Sequence, residues 1–270
     1  MMQGWKRRVV LTALLIAAVL IAACFIVVGR KAVQEAEARQ QEAPVPVRQP
    51  EHAPAASGTS DEAARGPAPA EYAELLQAIE QARAALAEGR DAAGVLAELW
   101  ARLEAASPDL SSAAIRAFLA GGQDADTGLD FAVGQGGTML SVPTLRVFLL
   151  DLLARIDPQA ALEQAQIVFD AKASADEYAV CLRNVGMIDR SAAGRAYVGR
   201  RARELLADPG LSAKPSAGFV EAFDAVVYSG DMEGLSALSA YAGPGLGVSV
   251  NVPSFMAMDR MVIDDTADAL

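Results

Sequence analysis

The chain has 270 residues, 53% of them hydrophobic and only 6% aromatic, with a formal charge of −11. Alanine alone supplies about a fifth of it, so the apolar content is carried by small side chains that favour helix. The single His, His52, lies in a Pro-rich stretch and Cys24 in an apolar run, which leaves Cys181 as the only soft ligand of a folded body; a His/Cys zinc site, a Ser-His-Asp triad and an intrachain disulfide framework are excluded.

The first element is Val9 to Val28, twenty residues without a charge. As a helix it spans roughly 30 Å, the thickness of a bilayer's hydrocarbon core. Val9, Leu11, Leu15, Leu20, Phe25 and Val28 are the candidate membrane-anchor residues along it. Lys6, Arg7 and Arg8 precede the run, so the positive-inside rule predicts a cytoplasmic N-terminus and a body outside the cytoplasmic (inner) membrane, tethered by a single pass. Residues 1–31 thus read as a cytoplasmic stub and signal-anchor. Two rivals use the same residues. A cleaved signal needs a shorter apolar core, whereas this run continues past Ala22-Ala23 through Val28. Ile21-Ala22-Ala23-Cys24 resembles a lipobox, which would make Cys24 the lipidation site of an envelope lipoprotein, although Phe25-Ile26-Val27-Val28 departs from the usual polar or small sequel.

Residues 32–69 read as a flexible Pro/Ala-rich linker. Pro44, Pro46, Pro50, Pro54, Pro67 and Pro69 fix φ and remove donors, and too little apolar surface is present to offset ordering entropy. Five cations and no acid stand up to Lys31, so the remainder carries −16. Such a body repels phosphate backbones, and nucleic-acid binding is not expected.

From Ala70 to Leu270 the pattern keeps the helical period. Leu75, Leu76, Ile79, Ala82 and Leu86 form one stripe, and Val95, Leu96, Leu99, Trp100 and Leu103 the next. Ser107-Pro108 predicts an N-cap with Pro at the first helical position, and Gly121-Gly122 the end of that helix. Leu129 to Val133 and Thr138 to Val142 flank a Gly-rich turn, which predicts a short β-hairpin within 129–142; Gly243 to Val252 reads as a shorter counterpart. Val142-Pro143 opens a strongly apolar helix that stops at Asp157-Pro158. Ser174-Ala175-Asp176-Glu177 is a capping-box pattern, with the Ser and the Glu each satisfying an orphan N–H. Further helices are predicted from about Ser191, Pro215, Asp231 and Pro253.

Alternate helix starts fall roughly 31 to 41 residues apart, the scale of helix-pair repeats. At an offset of 108, Ala114 to Phe118 falls on Ala222 to Val226, Gly122 on Gly230, Ser141-Val142-Pro143 on Asn251-Val252-Pro253, and Asp157 on Asp265. This spacing and patterning resembles HEAT-like or tetratricopeptide-like α-solenoids, without the Trp, Leu-Gly and Tyr signature of the latter. The resemblance implies an all-α fold, a right-handed-type stack of antiparallel helix pairs whose curved face binds proteins or peptides. By the same registration, the second copy stops at Leu270 where another helix is due, and Phe255, Met258, Met261 and Val262 are expected to lack part of their packing.

No catalytic, cofactor or metal residue is assigned. Asp124, Asp126 and Asp130 lack the Gly and Glu positions of an EF-hand loop and read as an acidic turn. Asp151, Asp157, Asp176 and Glu177 read as caps, dipole partners or solvated charge, and Cys181 as a small core residue. Arg195, Arg200, Arg201 and Arg203 form a cationic stretch on an acidic body, a solvated helix face or the docking site of an acidic partner. The expectation is a membrane-tethered interaction or scaffold module with a protein partner and no small-molecule ligand. The alternatives are a carboxylate-dependent hydrolase of envelope material and the lipoprotein.

Overall fold

The computed structural model describes residues 69–243 and 247–268, all within the second of two compact units of the chain, Glu62–Leu270. The anchor run with Lys6, Arg7, Arg8 and Cys24, and the linker up to residue 68, lie outside the described residues. Among the described residues no helix is long and apolar enough to cross a membrane.

The unit is mostly helical. In chain order the helices are α1 (Pro69–Ala87), α2 (Ala92–Ala105), α3 (Pro108–Ala120), α4 (Leu145–Ile156), α5 (Pro158–Ala171), α6 (Ala175–Ile188) and α7 (Ala192–Leu206). They are followed by the single turn α8 (Pro209–Ser212), then α9 (Ala217–Ser229), α10 (Glu233–Ser239) and α11 (Val248–Asp268). Between α3 and α4 stands an antiparallel hairpin, β1 (Ala132–Val133) and β2 (Met139–Ser141), with Ala132 opposite Ser141 and Val133 opposite Met139.

Side-chain caps set the helix starts. Asp91, Ser107, Thr144, Asp157, Ser174, Ser191, Asp208 and Ser216 each accept a backbone N–H of the first turn. A cap of this kind contributes typically about 1 kcal/mol. Asp157 closes α4 and opens α5, accepting from Ala160 N at 3.0 Å and from Ser112 Oγ at 2.7 Å, so it also ties α3 to the break. The predicted stop at Asp157-Pro158 is therefore a three-helix junction.

Packing proceeds stepwise along the chain. α4 lies against α2, α3, α5 and α6; α6 against α5, α7 and α9; α9 against α7, α10 and α11. α4 is buried nearly all round, with Leu145, Val147, Leu149 and Leu153 fully so. Phe169 of α5 meets Tyr178 of α6 at 4.5 Å between centroids, and Phe219, Phe223 and Tyr241 form a second aromatic cluster. Two ion pairs stitch the centre. Arg146 on α4 binds Glu177 on α6 through two hydrogen bonds of 2.8 and 2.9 Å and donates a third, 2.8 Å, to Leu119 O at the end of α3. Arg183 on α6 pairs with the buried Asp151 of α4.

The structure corrects four expectations. The capping box at Ser174 is half formed: Ser174 Oγ accepts from Glu177 N, but the Glu177 carboxylate is taken by Arg146. A buried guanidinium that needs its counter-ion outweighs one orphan N–H. Asp151 is likewise a buried partner of Arg183 and Arg155, not solvated charge. Residues 248–252 are helical, which removes the second hairpin. Lastly, Pro253 lies inside α11, which begins at Val248. The missing N–H is outweighed because Val250, Ser254, Ala257 and Met261 recur at helical spacing on the buried face, with Ser254 Oγ donating to Leu238 O at 2.6 Å. At the offset of 108, Gly122 and Gly230 share a positive φ (72° and 65°) after α3 and α9, while Pro143, ahead of the α4 cap, has no counterpart in the in-helix Pro253. Of the residues expected to lack packing, Met261 is buried, Met258 half-buried and Phe255 exposed.

Candidate functional site

Two cavities adjoin Arg183. The hairpin reaches this region because Thr127 and Ser141 fasten its base: Thr127 Oγ1 donates to Val142 O and Ser141 Oγ to Asp130 O, both at 2.5 Å. Asp124 and Asp126 are used in the same loop. Asp124 Oδ1 accepts from Arg146 N at 3.0 Å, and Asp126 Oδ1 from Gly128 N at 2.7 Å, with Gly128 at φ 70°. The acidic turn is a backbone brace for the hairpin. Among the described residues no group of three or more His, Cys, Asp or Glu could hold a metal ion.

At its tip the hairpin is clamped to α6, Arg183 Nε donating to Gly137 O while its Nη1 meets Asp151 and Asn184 Oδ1. Gly137 has φ 78°, a conformation open to glycine. Behind the clamp, between α4, α5 and α6, is a cavity of about 520 Å³ bordered by Asp151, Arg155, Arg183 and Asn184. Its polar groups are mutually satisfied: Asp151 with both arginines, Asn184 Nδ2 with Leu150 O at 2.9 Å. It offers a ligand little that is unpaired.

In front of the clamp a second cavity, about 460 Å³, is enclosed by the hairpin (Val133, Gly134, Gly136, Gly137), α6 (Ala179, Leu182, Arg183, Gly186, Met187) and α9 (Glu221, Asp224, Ala225, Tyr228), with Arg190 and Val198 at its edges. The Tyr228 hydroxyl donates to Gly186 O at 2.8 Å, and a Cβ at Gly186 would stand 3.0 Å from the ring. Glycine there lets the ring lie on α6. Most of this lining is apolar, and its charges differ in state. Arg183 is engaged as above, and Asp224 pairs with Arg260 of α11. Glu221, one turn before Asp224 on the same face of α9, is half-buried and makes no hydrogen bond or ion pair among the described residues. Burial pushes its carboxyl above the usual carboxylate range, the Asp224 charge adds to that, and Arg260 opposes it. Arg190 is exposed and has no counter-ion among the described residues.

The arginines marked in the sequence are not one patch. Arg201 turns to α5, reaching Gln166 Oε1 at 3.1 Å and lying 5.5 Å from the Phe169 centroid. Arg203 turns the other way, to Asp231 and Glu233. Arg195 donates to Arg190 O, and Arg200 lies over the Tyr197 ring; both are exposed. Cys181 is fully buried, and burial pushes its thiol up and away from reactivity. Asp176, expected at a helix end, accepts from Ser216 Oγ and Gly218 N and so fixes the start of α9. Sequence reasoning missed Glu221. Its one visible signal is the i, i+3 spacing to Asp224, which reads equally as a polar face until the hairpin covers it. No protein-family model, curated protein or solved structure matches the chain.

Proposed function

We propose that this chain is a membrane-tethered binding module, and that its helical domain, a solenoid-like stack of helix pairs held outside the cytoplasm, seats a polypeptide segment of a protein partner in the cavity between the hairpin, α6 and α9. The observation that carries the reading is that cavity: apolar walls, an open side and two charged groups without partners at its border. Clefts of this size and composition are where proteins take ligands. The tether is the Val9–Val28 run with its cationic flank, and the linker after it supplies reach.

The test is a photo-crosslinking amino acid placed at Ala225, inside the cavity, or at Ile167, exposed on α5 and outside it. In intact membranes, the Ala225 position should yield a discrete polypeptide adduct and the Ile167 position none. Equal labelling at both positions, or none at either, would overturn the reading. Protease added outside the membrane should release the body. Its protection would overturn the orientation.

One observation favours the hydrolase as a second reading, the half-buried Glu221 beside Asp224 in a cleft. Turnover of envelope polymer by the native chain, abolished in Glu221→Gln, would establish it.

A further inference from the structure

We infer that the segment received by this cavity presents a basic side chain, lysine or arginine, next to an apolar one, and that Glu221 is the residue selecting it; the inference rests on the peptide-binding reading above. A carboxylate removed in part from water needs a compensating hydrogen bond or counter-charge, and otherwise its burial costs free energy. Glu221 makes no hydrogen bond or ion pair among the described residues, and the counter-charge that acts on it, Arg260, is already paired with Asp224. Of the cations near the cavity, Arg260 is committed to Asp224 and Arg183 to Asp151, Asn184 and the hairpin carbonyl, while Arg190 is exposed to solvent and makes no ion pair with Glu221. A basic side chain arriving with the ligand supplies the direct ion pair that Glu221 lacks.

The walls suit such a side chain. A lysine or arginine carries a long aliphatic stem that gains from apolar surface while its head stays on a polar group. Leu182, Ala225 and the Tyr228 ring supply that surface around Glu221. An adjacent apolar residue of the segment fills the remainder of a space too large for one stem. The net −16 of the chain beyond Lys31 draws a basic segment in from solution and disfavours an acidic one. Arg190, exposed at the border, is placed to donate to a backbone carbonyl of the segment, a contact that carries no side-chain selectivity.

The experiment pans a displayed random-heptapeptide library on the full chain in lipid nanodiscs. Four forms are compared: native, Glu221→Gln, Arg190→Gln, and Ala225→Phe, which fills the cavity. The native chain and Arg190→Gln should enrich peptides with Lys or Arg beside Leu, Ile, Phe or Met. Glu221→Gln should lose that basic preference, with affinity for a selected peptide reduced about tenfold. Its thermal transition should lie at or slightly above the native one, because no internal contact is removed and a partly desolvated charge is. An acidic or neutral consensus on the native chain, or an unchanged basic consensus on Glu221→Gln, would overturn the inference and leave the peptide-binding reading standing. No enrichment over Ala225→Phe would overturn that reading itself.

Discussion

Helices α4 and α11 are both rich in large apolar residues, yet they end in opposite circumstances. α4 is enclosed by four helices, and eight of its twelve residues are buried. α11 meets α9 and α10, and only one face of it is covered; Phe255 is 53% and Met256 61% exposed. Their ion pairs differ in the same way. Arg146–Glu177 has side chains 13% and 9% exposed, Arg260–Asp224 has 49% and 51%. Apolar content states how much surface a helix could bury. The number of neighbouring elements decides how much it does bury, and so how much each contact contributes.

The largest expected effect tests the charged half of this contrast. Arg146→Ala should cost about 3–5 kcal/mol in urea unfolding, because it strands Glu177 and frees Leu119 O. Arg260→Ala, by contrast, should cost no more than about 1 kcal/mol. Similar losses for the two would break the comparison. Leu149→Ala should cost about 2–5 kcal/mol, whereas Phe255→Ala should stay within about 1 kcal/mol. Hydrogen exchange should rank the helices likewise, α4 at the global limit and α11 well below it.

A smaller effect sits at the α4–α5 junction. The Ala160 N–H, then the Ser112 hydroxyl, hold the Asp157 carboxyl below the usual carboxylate range. The unfolded chain binds the proton more readily there, so the contribution is full above the unfolded value of about 3.9 and is lost as pH falls through the folded one. Stability measured from pH 6 to pH 2 should fall, and Asp157→Asn should flatten part of the slope. The smallest effect is at Tyr178, whose buried hydroxyl has the Glu204 carboxylate near it but makes no well-formed hydrogen bond among the described residues. Tyr178→Phe should raise stability by about 1 kcal/mol. A measured loss would mean that the hydroxyl is satisfied.

Much of the local structure was legible because it is chemically local. Ser107-Pro108, Asp157-Pro158 and Ser191 act as caps within three residues of their own positions, where sequence carries the whole cause. The hairpin followed from a Gly-rich turn between apolar runs, although its strands proved shorter than the runs. Reading failed where a distant partner competed. Glu177 had a local role available and took Arg146, thirty-one residues away. Pro253 had a helix start available and was carried into α11 by packing on both of its sides.

What the sequence by itself determined was the helical character of the body, most of the places where helices start and stop, the acidic charge and the apolar run ahead of the Pro-rich stretch. All of these follow from side-chain chemistry acting over a few residues. Only the tertiary structure decided which acids are structural and which is left unpaired. Asp151, Asp157, Asp176 and Glu177 found partners on neighbouring elements, and Glu221 makes no hydrogen bond or ion pair among the described residues. A carboxylate has the same formula on any polar face. Whether it is a cap, a buried ion or an open contact depends on what the rest of the chain brings within about 3 Å of it.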